Sequence, residues 1–120
     1  MNVEATPRNT MLDAFAALLD SGNIQFRTAA DNLVAECTFG ATAFGAAAAG
    51  AITANAITEE DDTTAGTVDY AELRKSDDTL LATLTVTATG GGGDVELTSL
   101  VYADGETLTI DSMVITLPAT

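Results

Sequence analysis

Histidine and tryptophan are absent from this 120-residue chain, cysteine occurs once, and only four side chains are basic. Without histidine no Ser-His-Asp or Cys-His arrangement can be assembled, and no serine stands in a nucleophile-elbow context, so acyl-transfer triads are excluded. One cysteine and no histidine leave zinc without its usual ligands, and Cys37 has no internal partner for a disulfide. Four Lys and Arg against eighteen Asp and Glu give a formal charge of −14. Such a chain has almost nothing with which to release counterions from a phosphate backbone, so direct nucleic-acid binding is not expected. Nor does it suit an anionic membrane surface, which attracts Lys and Arg. No apolar run approaches the roughly 20 residues of a membrane span, and residues 1–8 lack the basic stretch and apolar core of a secretory signal.

What is present is apolar but small. Hydrophobic residues make up 47% of the chain, an ordinary globular share, so acidity does not imply disorder. Aromatic bulk is limited to four Phe and two Tyr, and much of the rest is alanine. Small side chains bury little area each, at about 25 cal/mol per Å². A lone 12.2 kDa domain with so thin a core is expected to be marginal, with partner subunits supplying part of the missing burial.

Periodicity predicts one helix, over about residues 9–20, after an N-terminal arm at 1–8. Thr6 can cap it with Pro7 at the first position, where a missing amide costs nothing. Met11, Leu12, Phe15, Leu18 and Leu19 recur at three- and four-residue spacing as one apolar face. Residues 20–23 end it, with Gly22 suited to a left-handed cap. The rest, through residue 120, reads as a single β-rich domain of short strands. Alternation marks 24–28, 33–39, 67–75, 80–88, 94–100 and 107–117, with a small strand at 51–57. Residues 44–50 stay open between loop and helical turn.

Turn chemistry separates these strands. Residues 76–79 read as a hairpin turn of Asp and Ser, and Asp104-Gly105 as another turn. The glycine run 90–93 lacks the residues of a phosphate-binding loop and is expected to be a flexible hairpin connection. Leu108 and Ile110 share one parity with the core while Met113, Ile115 and Leu117 share the other, which predicts a β-bulge near Asp111-Ser112. The expected fold is mainly β: a small antiparallel β-sandwich or barrel of seven to eight short strands, preceded by one N-terminal amphipathic α-helix.

Candidate chemistry is sparse. Asp69 and Glu72 fall on opposite faces of a regular strand, which separates the pair a glycosidase would need. Glu59-Glu60-Asp61-Asp62 and Asp77-Asp78 offer oxygen ligands to calcium, but neither has the spaced Asp-x-Asp-x-Asp-Gly pattern, and a solvated acidic loop accounts for them. Cys37 alternates with Leu33 and Ala35 and reads as a small buried hydrophobe. No catalytic, metal or cofactor-binding residue is assigned, no cofactor is expected, and the chain is not expected to be an enzyme. The four basic residues stand at Arg8, Arg27, Arg74 and Lys75. An otherwise acidic exterior suits high salt or a particle packed with DNA, because it discourages adhesion to nucleic acid.

Four stretches together resemble a family. Residues 11–22, Met-Leu-Asp-Ala-Phe-Ala-Ala-Leu-Leu-Asp-Ser-Gly, resemble the opening helix of small head decoration, or cement, proteins of tailed bacteriophages. Residues 33–45 are similar to that family's Leu-Leu-Ala-Glu-Leu-x-Phe-x-x-x-Ala-Phe stretch. Residues 73–79 are similar to its Leu-Lys-Ser-Asp-Gly-Thr hairpin, with Asp78 in the glycine position, and Val114-Ile115-Thr116-Leu117-Pro118 matches its ending. Asp69-Tyr70-Ala71 stands where the family has bulkier aromatics. The resemblance implies a virion structural protein, made in the host cytoplasm, that binds the outer face of the major capsid protein shell and stabilises it as a homotrimer. A short N-terminal segment can be free in the isolated protein and become ordered against a shell, so the shell contact is expected there, at Asn2, Val3, Glu4, Thr6 and Arg8. A tail-tube, tail-tip or fibre component is the alternative within the virion, and a calcium- or sugar-binding β-domain the alternative outside it.

Overall fold

The computed structural model describes residues 1–118. Helix α1 spans Ala5–Leu18, starting four residues before the expected boundary and taking in half of the supposed arm. Glu4, not Thr6, stands at the N-cap, and its side chain makes no capping bond. The early start has a local cause. Arg8 N–H bonds to Glu4 O at 3.2 Å, and Arg8 Nε donates to Val3 O at 2.8 Å. Pro7 still lies in the first turn, where amides lack helical partners.

The helix end also differs from expectation. Ser21, not Gly22, takes the left-handed conformation, with φ 60. Gly22 is needed for space instead: a Cβ there would sit 2.3 Å from Arg74 O.

Ten strands follow: β1 Asn23–Arg27, β2 Leu33–Phe39, β3 Ala51–Thr53, β4 Ile57–Thr58, β5 Gly66–Thr67, β6 Tyr70–Arg74, β7 Leu80–Ala88, β8 Val95–Leu97, β9 Val101–Tyr102 and β10 Ile110–Thr116. Eight form one sheet in the order β3-β10-β8-β7-β6-β1-β2-β4, while β5 and β9 pair separately. The large sheet curls into a half-barrel. Its inner face carries Ile24, Phe26, Cys37, Ala71, Leu73, Leu84, Val95, Leu97 and Met113, all buried, and α1 adds Leu12, Ala16 and Leu19.

The expected bulge is present: the β10–β8 register shifts between Ile110 and Ser112. Asp78 takes φ +69, as its place in the hairpin required. The segment left open, 44–50, folds back on β3. Ala48 and Ala51 exchange hydrogen bonds of 3.0 Å around Ala49-Gly50, both with positive φ as in a type I′ turn.

The sheet is not wholly antiparallel. β7 and β8 run parallel, Val86 beside Val95 and Ala88 beside Leu97, although such a pair ordinarily needs a crossover of a dozen or more residues. Here the glycine run replaces the crossover. Gly90 and Gly92 take φ +88 and +83, and the chain doubles back along β7 so that Gly93 N–H reaches Thr87 Oγ1 and Asp94 N–H reaches Thr85 Oγ1, each at 3.0 Å. A Cβ on Gly91 would lie 2.6 Å from Thr87 Cβ. The run is therefore a packed reversal rather than a flexible hairpin.

Burial is also better than the composition suggested. The accessible surface is 6071 Å², against about 6,060 Å² for a monomeric protein of this mass. Alanine lets backbones approach closely, so a core poor in aromatics still closes. By area, the fold is as closed as an ordinary monomer of this mass.

Candidate functional site

The half-barrel leaves a seam beyond its edge strand β4, facing the start of β10, and the acidic segment crosses it. Ile110 N–H donates to Glu59 Oε2 at 2.8 Å and Leu108 N–H to Glu60 O at 2.9 Å. Thr63, 2% exposed, donates through Oγ1 to Ala103 O at 2.8 Å and accepts there from Glu106 N–H at 3.1 Å. Thr64 N–H meanwhile reaches Val34 O on β2. Residues 59–66 are the polar loop expected, with most side chains exposed, and the loop is also a strap that stitches β2 to the 103–110 segment. Its carboxylates are partly spent on backbone amides. Among the described residues no group of three or more Asp, Glu, Cys or His converges in a metal-holding arrangement.

Cys37 lies beneath this strap and is fully buried. Burial pushes its thiol up to about 11, with the charges of Glu59, Glu60 and Glu36 acting in the same direction and the Glu60 amide opposing them. A thiol held this firmly protonated is no nucleophile at neutral pH.

Basic charge gathers on the outer sheet face but is neutralised there. Glu72 Oε1 lies 2.8 Å from both Arg27 Nε and Arg74 Nη2. Arg27 Nη2 also donates to Gln25 Oε1 at 2.6 Å, and Gln25 Nε2 to Asp78 Oδ1 at 3.2 Å. Tyr70 donates its hydroxyl proton to Asp31, which pushes the phenol up to about 12. Two guanidinium groups around one buried carboxylate, flanked by Asp31 and Asp78, hold one another in register across β1 and β6. They offer no free cationic site to an anion. Asp69 lies outside β6, apart from the outward row of Tyr70, Glu72 and Arg74.

The N-terminal residues expected to contact a shell divide into two groups. Val3 and Arg8 are half-buried and hold each other, and Arg8 Nη1 also donates to Leu117 O at 3.1 Å. Arg8 is a tether between the N-terminal segment and the end of β10. Asn2, Glu4 and Thr6 are exposed.

Beside them lies a face that the helical periodicity misassigned. Only Leu12 and Leu19 of the expected stripe, with Ala16, turn into the core; Met11 and Leu18 are each 48% exposed, and Phe15 is half-buried. Met11, Phe15, Ile115 and Leu117 line an open apolar groove of about 330 Å³ between α1 and β10. The outer side of α1 presents Thr6, Thr10, Met11, Ala14, Ala17 and Leu18, all exposed and uncharged, with exposed Asp13 at its edge. The helix holds two charged residues, Arg8 and Asp13, and Asp13 is taken up by Ala47 N–H at 2.8 Å. Charge density carried no signal of this face, since two charged residues among fourteen is close to the 18% of the whole chain.

Comparison of the chain with protein-family models, with curated proteins and with solved structures finds no match. No helix among the described residues is long and apolar enough to cross a membrane.

Proposed function

We propose that this chain is a virion structural protein that decorates the outer face of a phage capsid, bound to the major capsid protein and acting as a homotrimer. One observation carries the reading beyond the resemblance. An uncharged, partly apolar helix face and its groove adjoin the exposed Asn2, Glu4 and Thr6 on a molecule that otherwise bears a charge of −14. An exposed apolar patch bordered by polar residues marks an interaction surface, and the acidic remainder keeps the protein off packaged DNA.

Weak contacts suffice for this role. A trimer spanning several shell subunits gains avidity through effective concentration, and clamping neighbours opposes their separation under internal pressure. Cryo-electron microscopy of the particle that carries this chain tests the reading. Many copies at regular capsid positions, with residues 2–6 against the shell, are expected. A few copies confined to the tail would transfer the protein to the tail-component reading.

A further inference from the structure

We infer that residues 59–68 and 99–109 form a lid over the seam that lifts as one body, exposing Cys37 while the eight-stranded sheet stays folded. The inference does not depend on what the protein decorates.

The lid is bonded to itself more than to the sheet beneath it. Strands β5 and β9 pair only with each other among the described residues. Thr63 ties the two segments through both its hydroxyl and its backbone: beside the bonds of Oγ1 to Ala103 and Glu106, its N–H donates to Glu106 O at 3.1 Å and its carbonyl accepts from Gly105 N–H at 2.8 Å. Ala65 N–H donates to Asp104 Oδ1 at 2.7 Å, Val68 N–H to Leu100 O at 2.8 Å and Leu108 N–H to Glu60 O at 2.9 Å. Against these, the bonds that cross to the large sheet are Thr64 N–H to Val34 O at 2.9 Å and Ile110 N–H to Glu59 Oε2 at 2.8 Å. At the roots of the lid stand Asp69 N–H to Arg27 O at 2.8 Å and a long contact of 3.5 Å from Thr98 N–H to Thr109 O.

The seat is small as well. Val68, Tyr102 and Leu108 are the buried apolar side chains of the lid, and nearly all the rest of the core lies on the large sheet and α1. One of the three fits imperfectly. The Tyr102 hydroxyl is buried without a well-formed hydrogen bond, although the Thr109 backbone is near, and a buried hydroxyl left in that state favours opening. Lifting the lid therefore breaks few bonds and exposes little apolar surface, so it needs less free energy than unfolding the sheet. Cys37 is the group uncovered: it is fully buried, with the Glu60 amide against its sulfur.

Cys37 is the chain's one thiol, so its rate of modification by N-ethylmaleimide reads the open population of the full-length protein. The test measures that rate in urea below the unfolding transition. In wild type it is expected to rise with urea at less than about half the slope of global unfolding, because the slope follows the surface exposed. Ile52→Val, in β3 at the opposite edge of the large sheet from β4, should shift the global equilibrium about fivefold yet leave labelling within about twofold. Val68→Ala, in the seat, should speed labelling about tenfold or more with an unchanged circular dichroism spectrum. If that variant does not fold, Gly66→Ala replaces it, since a Cβ there would lie 2.9 Å from Thr28 Cγ2 and wedge the lid from the sheet. Hydrogen exchange should show the Thr64 and Asp69 amides opening with the same urea slope as the labelling, and those of Val68 and Gly105 opening more rarely. Labelling at the full global slope, no labelling below the transition, a fivefold rise in Ile52→Val, or no rise in a folded seat variant overturns the inference. A common exchange rate for Thr64 and Gly105 also overturns it, because the lid would then fray instead of lifting whole.

Discussion

Gly22 and Cys37 each do something at the residue scale that their letters did not announce. Gly22 was expected to supply a left-handed cap, but what its missing side chain provides is contact between the end of α1 and the backbone of β6. Gly22→Ala forces the backbone apart at Arg74 and should lower stability by about 3 kcal/mol, at the upper end of overpacking costs, measured as a fall in the urea midpoint at unchanged m. Cys37 couples stability to alkaline pH. Its thiol titrates near 11 in the folded state against 9.0 ordinarily. Between those values the folded protein keeps a proton that the unfolded chain has released, so stability falls as pH rises through the window and is fully present below it. The contribution is on the order of 2 kcal/mol. Urea midpoints of wild type and Cys37→Ala at pH 8 and pH 11 check it: the drop between the two should be smaller in the variant.

Strands long enough to alternate were legible at the scale of elements, and those too short were not. Strands β2 and β7 occupy the residues their alternation marked, 33–39 and 80–88, and the parity change in β10 located its bulge. Two-residue strands such as β4, β5 and β9 carry no period to detect. The glycine run misled for a physical reason: glycine reads locally as freedom, whereas at Gly91 and Gly93 it is demanded by the side chain of Thr87 on the neighbouring strand. The strap was missed because its anchor is one uncharged residue among carboxylates. Thr63→Val keeps the shape and removes the hydroxyl, leaving Ala103 O and Glu106 N–H without it. A loss of about 2 kcal/mol is expected from such unsatisfied groups. Native-state hydrogen exchange should also quicken at Gly105 and Leu108, whose amides bond to strap carbonyls. Equal protection in both proteins would mean that the seam is held without Thr63.

Charge dominates at the scale of the whole molecule. The protein measures 44 × 28 × 23 Å, so at about 0.01 M salt, where the Debye length is about 30 Å, nearly every carboxylate feels the others, and at 0.1 M, with about 10 Å, only near neighbours do. Adding salt over that range should raise Tm by about 5 °C, equivalent to roughly 1 kcal/mol, in differential scanning calorimetry. Self-association should strengthen over the same range. A fall in Tm would mean that the ion pairs around Glu72 outweigh the general repulsion.

Composition and periodicity by themselves determined the class of this protein: one acidic, mainly β domain behind one helix, with no histidine-based chemistry. These follow from residue counts and from spacing along the chain, which no packing can alter. Which side of α1 faces water, which strands neighbour one another and what the acidic segment joins were decided only by the tertiary structure. Each depends on residues far apart in sequence reaching one place: Ala16 allowing the helix to settle onto the sheet, Thr87 shaping the glycine reversal, and Thr63 meeting Ala103 and Glu106 across the seam.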